Sequence, residues 1–290
     1  MEREAASPGG LFFVSEGRRS TIRLMLGDCL ERMKEIDDGS VDAVIADPPY
    51  GTTACKWDSV IPLEPMWEQL KRVIKPNGAI VLFGSQPFTS VLVMSNLKWF
   101  KYCWIWDKKR GKGHLVCKYR PMQRTEDIAV FGQGAISYYP IMEKRDKPRF
   151  QIEGGRRTEI MGGQPNPDYK GKIVTHRHPT TVIEMSWSPT TSLHPTQKPV
   201  ELGRYLIKTF TKENDIILDN ACGSGSFLIS AVLEGRRFIG IEKNQEGYLF
   251  KKKKVDYIEV CNQRIKEAQK RFKAENNKLK LLTSVLFFFK

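Results

Sequence analysis

The chain has 290 residues, 40% of them hydrophobic, enough for one large α/β domain or two small ones and too many for wholesale disorder. It has no run near the ~18 apolar residues of a membrane span, no apolar core in its first ten residues to serve as a signal peptide, and six scattered cysteines, the closest two 14 positions apart, which excludes C-x-x-C chemistry and a dense disulfide framework and fits reduced thiols in a cytoplasmic protein. The net charge of +14 is concentrated in residues 98–124, with nine Lys/Arg and one acid, and in residues 251–280, with eleven and four; such a basic face attracts polyanions, although a solvated surface accounts for it equally well.

After an N-terminal extension, residues 1–20, Ile22–Leu26 reads as a strand and a helix starts at Asp28. DAVIA is a strand ending at Asp47. PLEPMWEQLKRVIKPNG is a helix with Pro76-Asn77-Gly78 as its stop signal. AIVLFGS is a continuous apolar strand, PFTSVLVMSNL a helix, FKYCWIWDK a strand running into a basic loop, and EDIAVFG another strand. This β-α-β-α-β order predicts a mostly parallel sheet. Between residues 137 and 192 the rhythm breaks, leaving only strand-like pieces such as GKIVTH and TTVIEMSW, as a functional insertion would. It returns over 193–275 with a helix in HPTQKPVELGRYLIKTF, the strand DIILDN, the loop ACGSGS, the helix FLISAVLEG and the strand RRFIGIE. A last helix over about 255–275 carries Ile258, Cys261, Ile265, Ala268 and Phe272 as one apolar stripe, expected to pack on the sheet. Residues 276–290 form a tail whose apolar Val285–Phe289 suits packing or a subunit contact.

Two loops carry chemistry. In ILDNACGSGSFLI a strand, a tight turn and a helix start follow one another, and Gly223 and Gly225 allow positive φ and close backbone approach to a ligand. Leu228 stands where G-x-G-x-x-G would need its third glycine, which argues against a dinucleotide pyrophosphate. Glu242, ending the next strand, has the position of an acid that accepts ribose hydroxyls. With Asp219 just before the loop, the pattern favours a nucleoside cofactor without a diphosphate. In DPPY, two prolines fix φ and leave stiff carbonyl acceptors. The Asp47 carboxylate and the Pro48 carbonyl can each take one N–H of an exocyclic amine, drawing its lone pair out of conjugation. Tyr50 offers a flat face to a base turned out of a duplex. The plainer alternative is a proline-stiffened turn with Tyr50 as a lid on the core.

GDCLERM, DPPY, HPTQKP and LDNACGSGS, within residues 20–270 and with DPPY ahead of the irregular stretch and the glycine loop after it, together resemble the DNA amino-methyltransferases that use S-adenosylmethionine, in their circularly permuted β class. The resemblance implies a Rossmann-like α/β fold with a mostly parallel seven-stranded sheet and helices on both faces. Its halves would be residues 21–136, with the DPPY motif, and 193–275, which would bind S-adenosylmethionine, with a target-recognition insertion at 137–192. It implies methyl transfer to adenine N6 in double-stranded DNA, with N4-cytosine or RNA as alternatives and a catalytically silent nucleic-acid-binding protein as a different class. Asp47, Pro48, Pro49 and Tyr50 would be catalytic. Asp28, Cys29, Thr196, Lys198, Asp219, Ala221, Gly223, Gly225 and Glu242 would hold the cofactor. Lys108, Lys109, Arg110, Lys112, Lys118 and Arg120 would contact DNA. A cognate restriction enzyme and a homodimer are further partners of such enzymes. The loop departs from the family's usual DPFAGSGT at Asn220, Ala221, Cys222 and Ser226. His176-x-His178 lacks the companions of a metal site, so no metal is expected, and Trp57 and Trp187 read as packing residues.

Overall fold

Continuous apolar strands need cover on both faces, and this chain supplies it. The computed structural model describes residues 22–52, 58–152, 171–187, 197–244, 249–250 and 253–288; Thr196, Trp57 and the extension at 1–20 lie outside them. The elements in order are β1 (Ile22–Leu26), α1 (Cys29–Arg32), β2 (Val41–Ala46), α2 (Leu63–Val73), β3 (Ile74–Gly84), α3 (Phe88–Ser95), β4 (Phe100–Lys112), β5 (Gln123–Phe131), β6 (Glu143–Ile152), β7 (Gly171–Arg177), β8 (Val182–Glu184), α4 (Val200–Phe210), β9 (Ile216–Asp219), α5 (Ser226–Leu233), β10 (Arg237–Glu242) and α6 (Tyr257–Phe288).

The main sheet has the order β1-β10-β9-β2-β3-β5-β4-β8. β5 alone runs against its neighbours. Alternate residues feed two cores. Ala43 and Ile45 of β2 pack with Leu206 of α4, Phe227 of α5 and Ile265 of α6 on one face. Val41, Val44 and Ala46 pack with Met66 and Leu70 of α2 and Leu92 of α3 on the other. The α6 stripe is buried as its spacing predicts, with Ile258, Cys261, Ile265 and Ala268 all at 4% exposure or less.

Four expectations need correction. The sheet has eight strands rather than seven, because three residues of the irregular stretch, β8, pair in parallel with β4. The separate unit is accordingly Pro140–Thr180, shorter than 137–192; its β6 and β7 pair antiparallel. Pro76-Asn77-Gly78 does not close α2. The helix ends at Val73, Ile74 already pairs with Val41, and Lys75–Gly78 bulges out before pairing resumes at Ala43–Ala79. A Cβ on Gly78 would sit 2.8 Å from the Asp42 carbonyl oxygen, so glycine permits this close approach. Finally, α6 continues to Phe288, since no Gly or Pro interrupts it.

Candidate active site

Parallel strands deliver the site. Asp28 follows β1, Asp47 follows β2, Asp219 ends β9 and Glu242 ends β10, so all four emerge at one edge of the sheet. From β9 the chain winds toward β10, and from β2 it winds the opposite way toward β3. The crevice where winding reverses is where open α/β sheets bind ligands. A cavity of about 270 Å³ opens there. It is lined by the predicted catalytic stretch Asp47–Tyr50 and by Asp28, Cys29, Lys198, Asp219, Ala221, Gly223 and Glu242. Gly225 stands behind this wall as the residue capping α5, at φ +78°. A Cβ there would meet the Cys261 sulfur at 2.9 Å.

The glycine-loop side of the cavity is held by backbone contacts. Glu242 Oε2 accepts the Gly223 N–H at 2.8 Å and Oε1 the Asn244 N–H at 2.9 Å; burial raises its pKa against those two bonds. Asp219 is 1% exposed, and burial pushes its carboxyl well up, with Asp47 and Glu242 adding to the effect. Asp28 caps α1 by accepting the Leu30 N–H at 3.0 Å and pairs with Lys243 at 3.1 Å. Arg264 of α6 donates to the Ser224 carbonyl, and the Cys261 thiol donates to that of Gly223 at 3.1 Å. Asn220 is buried beside the cavity, and its side-chain amide has no nitrogen or oxygen partner among the described residues, with only the Cys29 thiol beside it.

The DPPY side is a charged network. Tyr50 donates its hydroxyl to Asp47 Oδ1 at 2.5 Å, and Lys198 donates to Asp47 Oδ2 at 2.5 Å. The same ammonium lies 3.3 Å from Glu126 Oε2, and Glu126 Oε1 takes Lys108. Burial raises the Asp47 pKa, Lys198 opposes this and Glu126 reinforces it. Burial also works against the charge on Lys198, but Asp47 and Glu126 outweigh it and hold that pKa above the usual lysine value. Tyr50 stacks on Phe88, ring centres 5.2 Å apart.

Two acids of this site escaped the sequence reading. Glu126 lies in a stretch legible only as a strand. Asp58 accepts the N–H groups of Tyr50 at 2.8 Å, Gly51 at 3.0 Å and Thr52 at 2.9 Å, so one carboxylate sets the backbone that follows the two prolines. No local pattern announces it.

The basic segment divides. Lys108 is 5% exposed and pairs with Glu126, so it faces inward rather than toward a polyanion, as expected above. The alternation Trp104, Trp106, Lys108, all buried, is the signal that could have found this. Lys109 pairs with Glu184 at 3.0 Å. The Lys112 ammonium sits 3.4 Å from the centre of the Trp187 ring, and burial with the nearby Lys108 lowers its pKa to about 8. Arg110, Lys118 and Arg120 are exposed and have no carboxylate partner among the described residues. In the separate unit the register puts Lys144, Arg149, Lys172 and His176 on one face of the β6–β7 ribbon. Phe150 and Ile173, 62% and 71% exposed, lie on the other.

The family model for DNA methylases of the N6/N4 type matches residues 41–253. The type II methyltransferase M2.MboI of Moraxella bovis is 26% identical over 249 residues, 76% of this chain and 82% of that protein. M2.LlaDCHI of Lactococcus lactis subsp. cremoris, also a type II methyltransferase, is 28% identical over 258 residues, 80% of this chain and 88% of that one. Among solved structures, the M1.HpyAVI–SAM complex aligns with a TM-score of 0.56 at 23% identity, covering 84% of this chain and 99% of that one. The cytosine-N4-specific PvuII DNA methyltransferase aligns at 0.58 and 15% identity, covering 87% and 93%; these two likenesses are of fold. Since the family match runs across well over half of the sequence, and through both the DPPY turn and the glycine loop, the chain belongs to the N6/N4 DNA methylase family.

Proposed function

We infer that the protein moves a methyl group from S-adenosylmethionine to the exocyclic N6 of adenine in double-stranded DNA, by base flipping and direct in-line transfer. The observation that carries this reading is the single cavity walled on one side by Asp47–Tyr50 and on the other by Asp219–Ser224 and Glu242. Aspartate at the first DPPY position supports adenine over cytosine.

The residues fit the cofactor. Each Glu242 oxygen accepts one backbone N–H and keeps a second lone pair for a ribose hydroxyl. The Asn220 amide, with no nitrogen or oxygen partner among the described residues, suits a polar ligand, since buried polar groups without such partners are rare. Asp28 would meet the adenine of the cofactor, and Asp219, Ala221, Gly223 and Gly225 its methionine part. Lys198 and Thr196 would sit near its carboxylate. The bound cofactor supplies an electrophilic sulfonium methyl. The protein mainly aligns donor and acceptor. Asp47 and the Pro48 carbonyl hold the amine and turn its lone pair outward, and Tyr50, backed by Phe88, carries the base. Asp47 need not be a strong base, because the proton can leave after transfer.

Arg110, Lys118 and Arg120 would track phosphates. DNA affinity should then fall steeply between about 50 and about 200 mM salt, and R110Q/K118Q/R120Q should reduce the log–log slope by roughly one per cation in contact. A flat salt response would remove the electrostatic part of this reading.

The function itself is tested with labelled S-adenosylmethionine offered to unmethylated duplex DNA, RNA and free nucleoside, followed by nucleoside analysis. N6-methyladenine in duplex DNA is expected. N4-methylcytosine would keep the mechanism and change the base, and methylated RNA alone would change the substrate. Cofactor binding without transfer to any of them would favour a silent binding protein.

A further inference from the structure

Both oxygens of Asp47 are already engaged. Oδ1 accepts the Tyr50 hydroxyl and Oδ2 the Lys198 ammonium, each at 2.5 Å. Each oxygen keeps a second lone pair, but a target amine held at Asp47, as the reading above requires, brings its N–H beside one of these two donors and seats best where that donor moves aside. Tyr50 is fixed through its backbone by Asp58 and through its ring by Phe88. Lys198 is the partner that can give way, because its long unbranched side chain reorients without moving the backbone. Its side chain, however, is only 6% exposed, and a buried ammonium stripped of its counter-charge is strongly disfavoured. It needs somewhere to go.

Glu126 offers that place. Its Oε2 lies 3.3 Å from the same Lys198 nitrogen. Its Oε1 is taken by Lys108, itself 5% exposed and lying 5.2 Å from the centre of the Trp106 ring. The cluster thus holds two carboxylates and two ammonium groups and is neutral as a whole. Burial works against the charge on Glu126, but Lys198 and Lys108 outweigh it and hold the carboxyl below its usual range, so it is ionised when Lys198 turns to it.

We propose that Glu126 is a positioning residue for methyl transfer: it is the alternative counter-ion onto which Lys198 shifts when the target base enters, freeing Asp47 Oδ2 for the amine. The shift exchanges one buried ion pair for another and leaves the net charge of the cavity wall unchanged. Lys108 anchors Glu126 so that the second berth stays in place. The proposal rests on the amino-methyl transfer reading and adds to it a residue that the DPPY motif does not contain.

The test uses the full chain, labelled S-adenosylmethionine and duplex DNA in single-turnover experiments. E126Q removes the second berth. K108M/E126Q removes it while keeping the cluster neutral, so it guards against a fold lost to an unbalanced charge. Both should lose about tenfold or more in the transfer step, as misplacement of an aligned group does, with cofactor and DNA dissociation constants within about threefold of the parent. In a K198M background, adding E126Q should change the rate by less than about twofold, because a residue acting only through Lys198 has nothing left to act on. A folded K108M/E126Q protein that transfers within about twofold of the parent overturns the exchange. So does an undiminished loss from E126Q in the K198M background, which would mark Glu126 as touching the substrate itself. If the unsubstituted protein transfers no methyl group to DNA, it is the underlying reading that fails, and the exchange falls with it.

Discussion

Asp47→Ala should cut methyl transfer to DNA by at least about a thousandfold while shifting the S-adenosylmethionine dissociation constant by no more than about threefold. The separation follows from where the two functions are built. Apart from Lys198, which pairs with Asp47, and Asp28 and Cys29 after β1, the described groups proposed to hold the cofactor stand at the ends of β9 and β10 and in the loop before α5, where bonds join Glu242 and Gly223, Asp219 and Ala221, and Arg264 of α6 and Ser224. Asp47 enters none of those bonds. Its own partners are Tyr50 and Lys198. The alanine variant should also fold, because Lys198 keeps Glu126 as a counter-charge. Asp47→Asn makes a sharper companion. Its amide oxygen still accepts one hydrogen bond, but its NH2 group cannot accept from Lys198. It should fall between parent and alanine variant in a single-turnover assay, with cofactor affinity read by calorimetry. Cofactor binding lost in step with transfer would show that Asp47 does something other than hold the amine.

The residues that could be read from the sequence are those whose function is written into a local pattern. The strands of the sheet are continuous apolar runs because helices cover both faces, and β1 and β9 stand where those runs stand. DPPY and the glycine loop are legible because proline and glycine restrict or release φ in ways no other residue does. Their convergence is not local. It depends on β2 and β9 being neighbours, which the order of elements in a doubly wound sheet makes natural. Glu126 and Asp58 had no such signature. Each is a lone acid whose meaning comes from partners elsewhere in the chain: Lys108 and Lys198 for one, three consecutive backbone N–H groups for the other. Lys108 was misread for the opposite reason. A run of like charges looks solvated, yet β4 continues through it, and strand alternation carries every second side chain inward behind Trp104 and Trp106. The last helix was cut short because its apolar stripe ends at Phe272, whereas nothing in the following residues stops a helix from continuing.

Asp58 yields the second large effect. Proline at 48 and 49 stiffens the start of the turn but donates no hydrogen bond to hold it, so the chain after the prolines has to be fixed from outside. Asp58 does this with both oxygens, Oδ1 taking Tyr50 and Gly51 and Oδ2 taking Thr52. Hydrogen bonds to a carboxylate are stronger than those between neutral groups, and three on one group over-determine the backbone that aims the Tyr50 ring. Gly51 sits at φ +67°, a conformation that this anchoring helps to select. Asp58→Ala leaves three donors without their acceptor, and displacement of Tyr50 by about 1 Å is enough to cost about a hundredfold in transfer. Asp58→Asn keeps one acceptor oxygen. If that oxygen takes the two donors of Oδ1, the variant should retain more activity than alanine does, by about tenfold. Cofactor affinity should change little in either, because these three bonds stay on the DPPY side of the cavity. The measurement is single-turnover transfer beside a thermal melt. A rate unchanged in a folded Asp58→Ala protein would mean that the two prolines and the stacking on Phe88 suffice to aim Tyr50. A rate lost together with the melting transition would make Asp58 a determinant of the fold as a whole rather than of this turn.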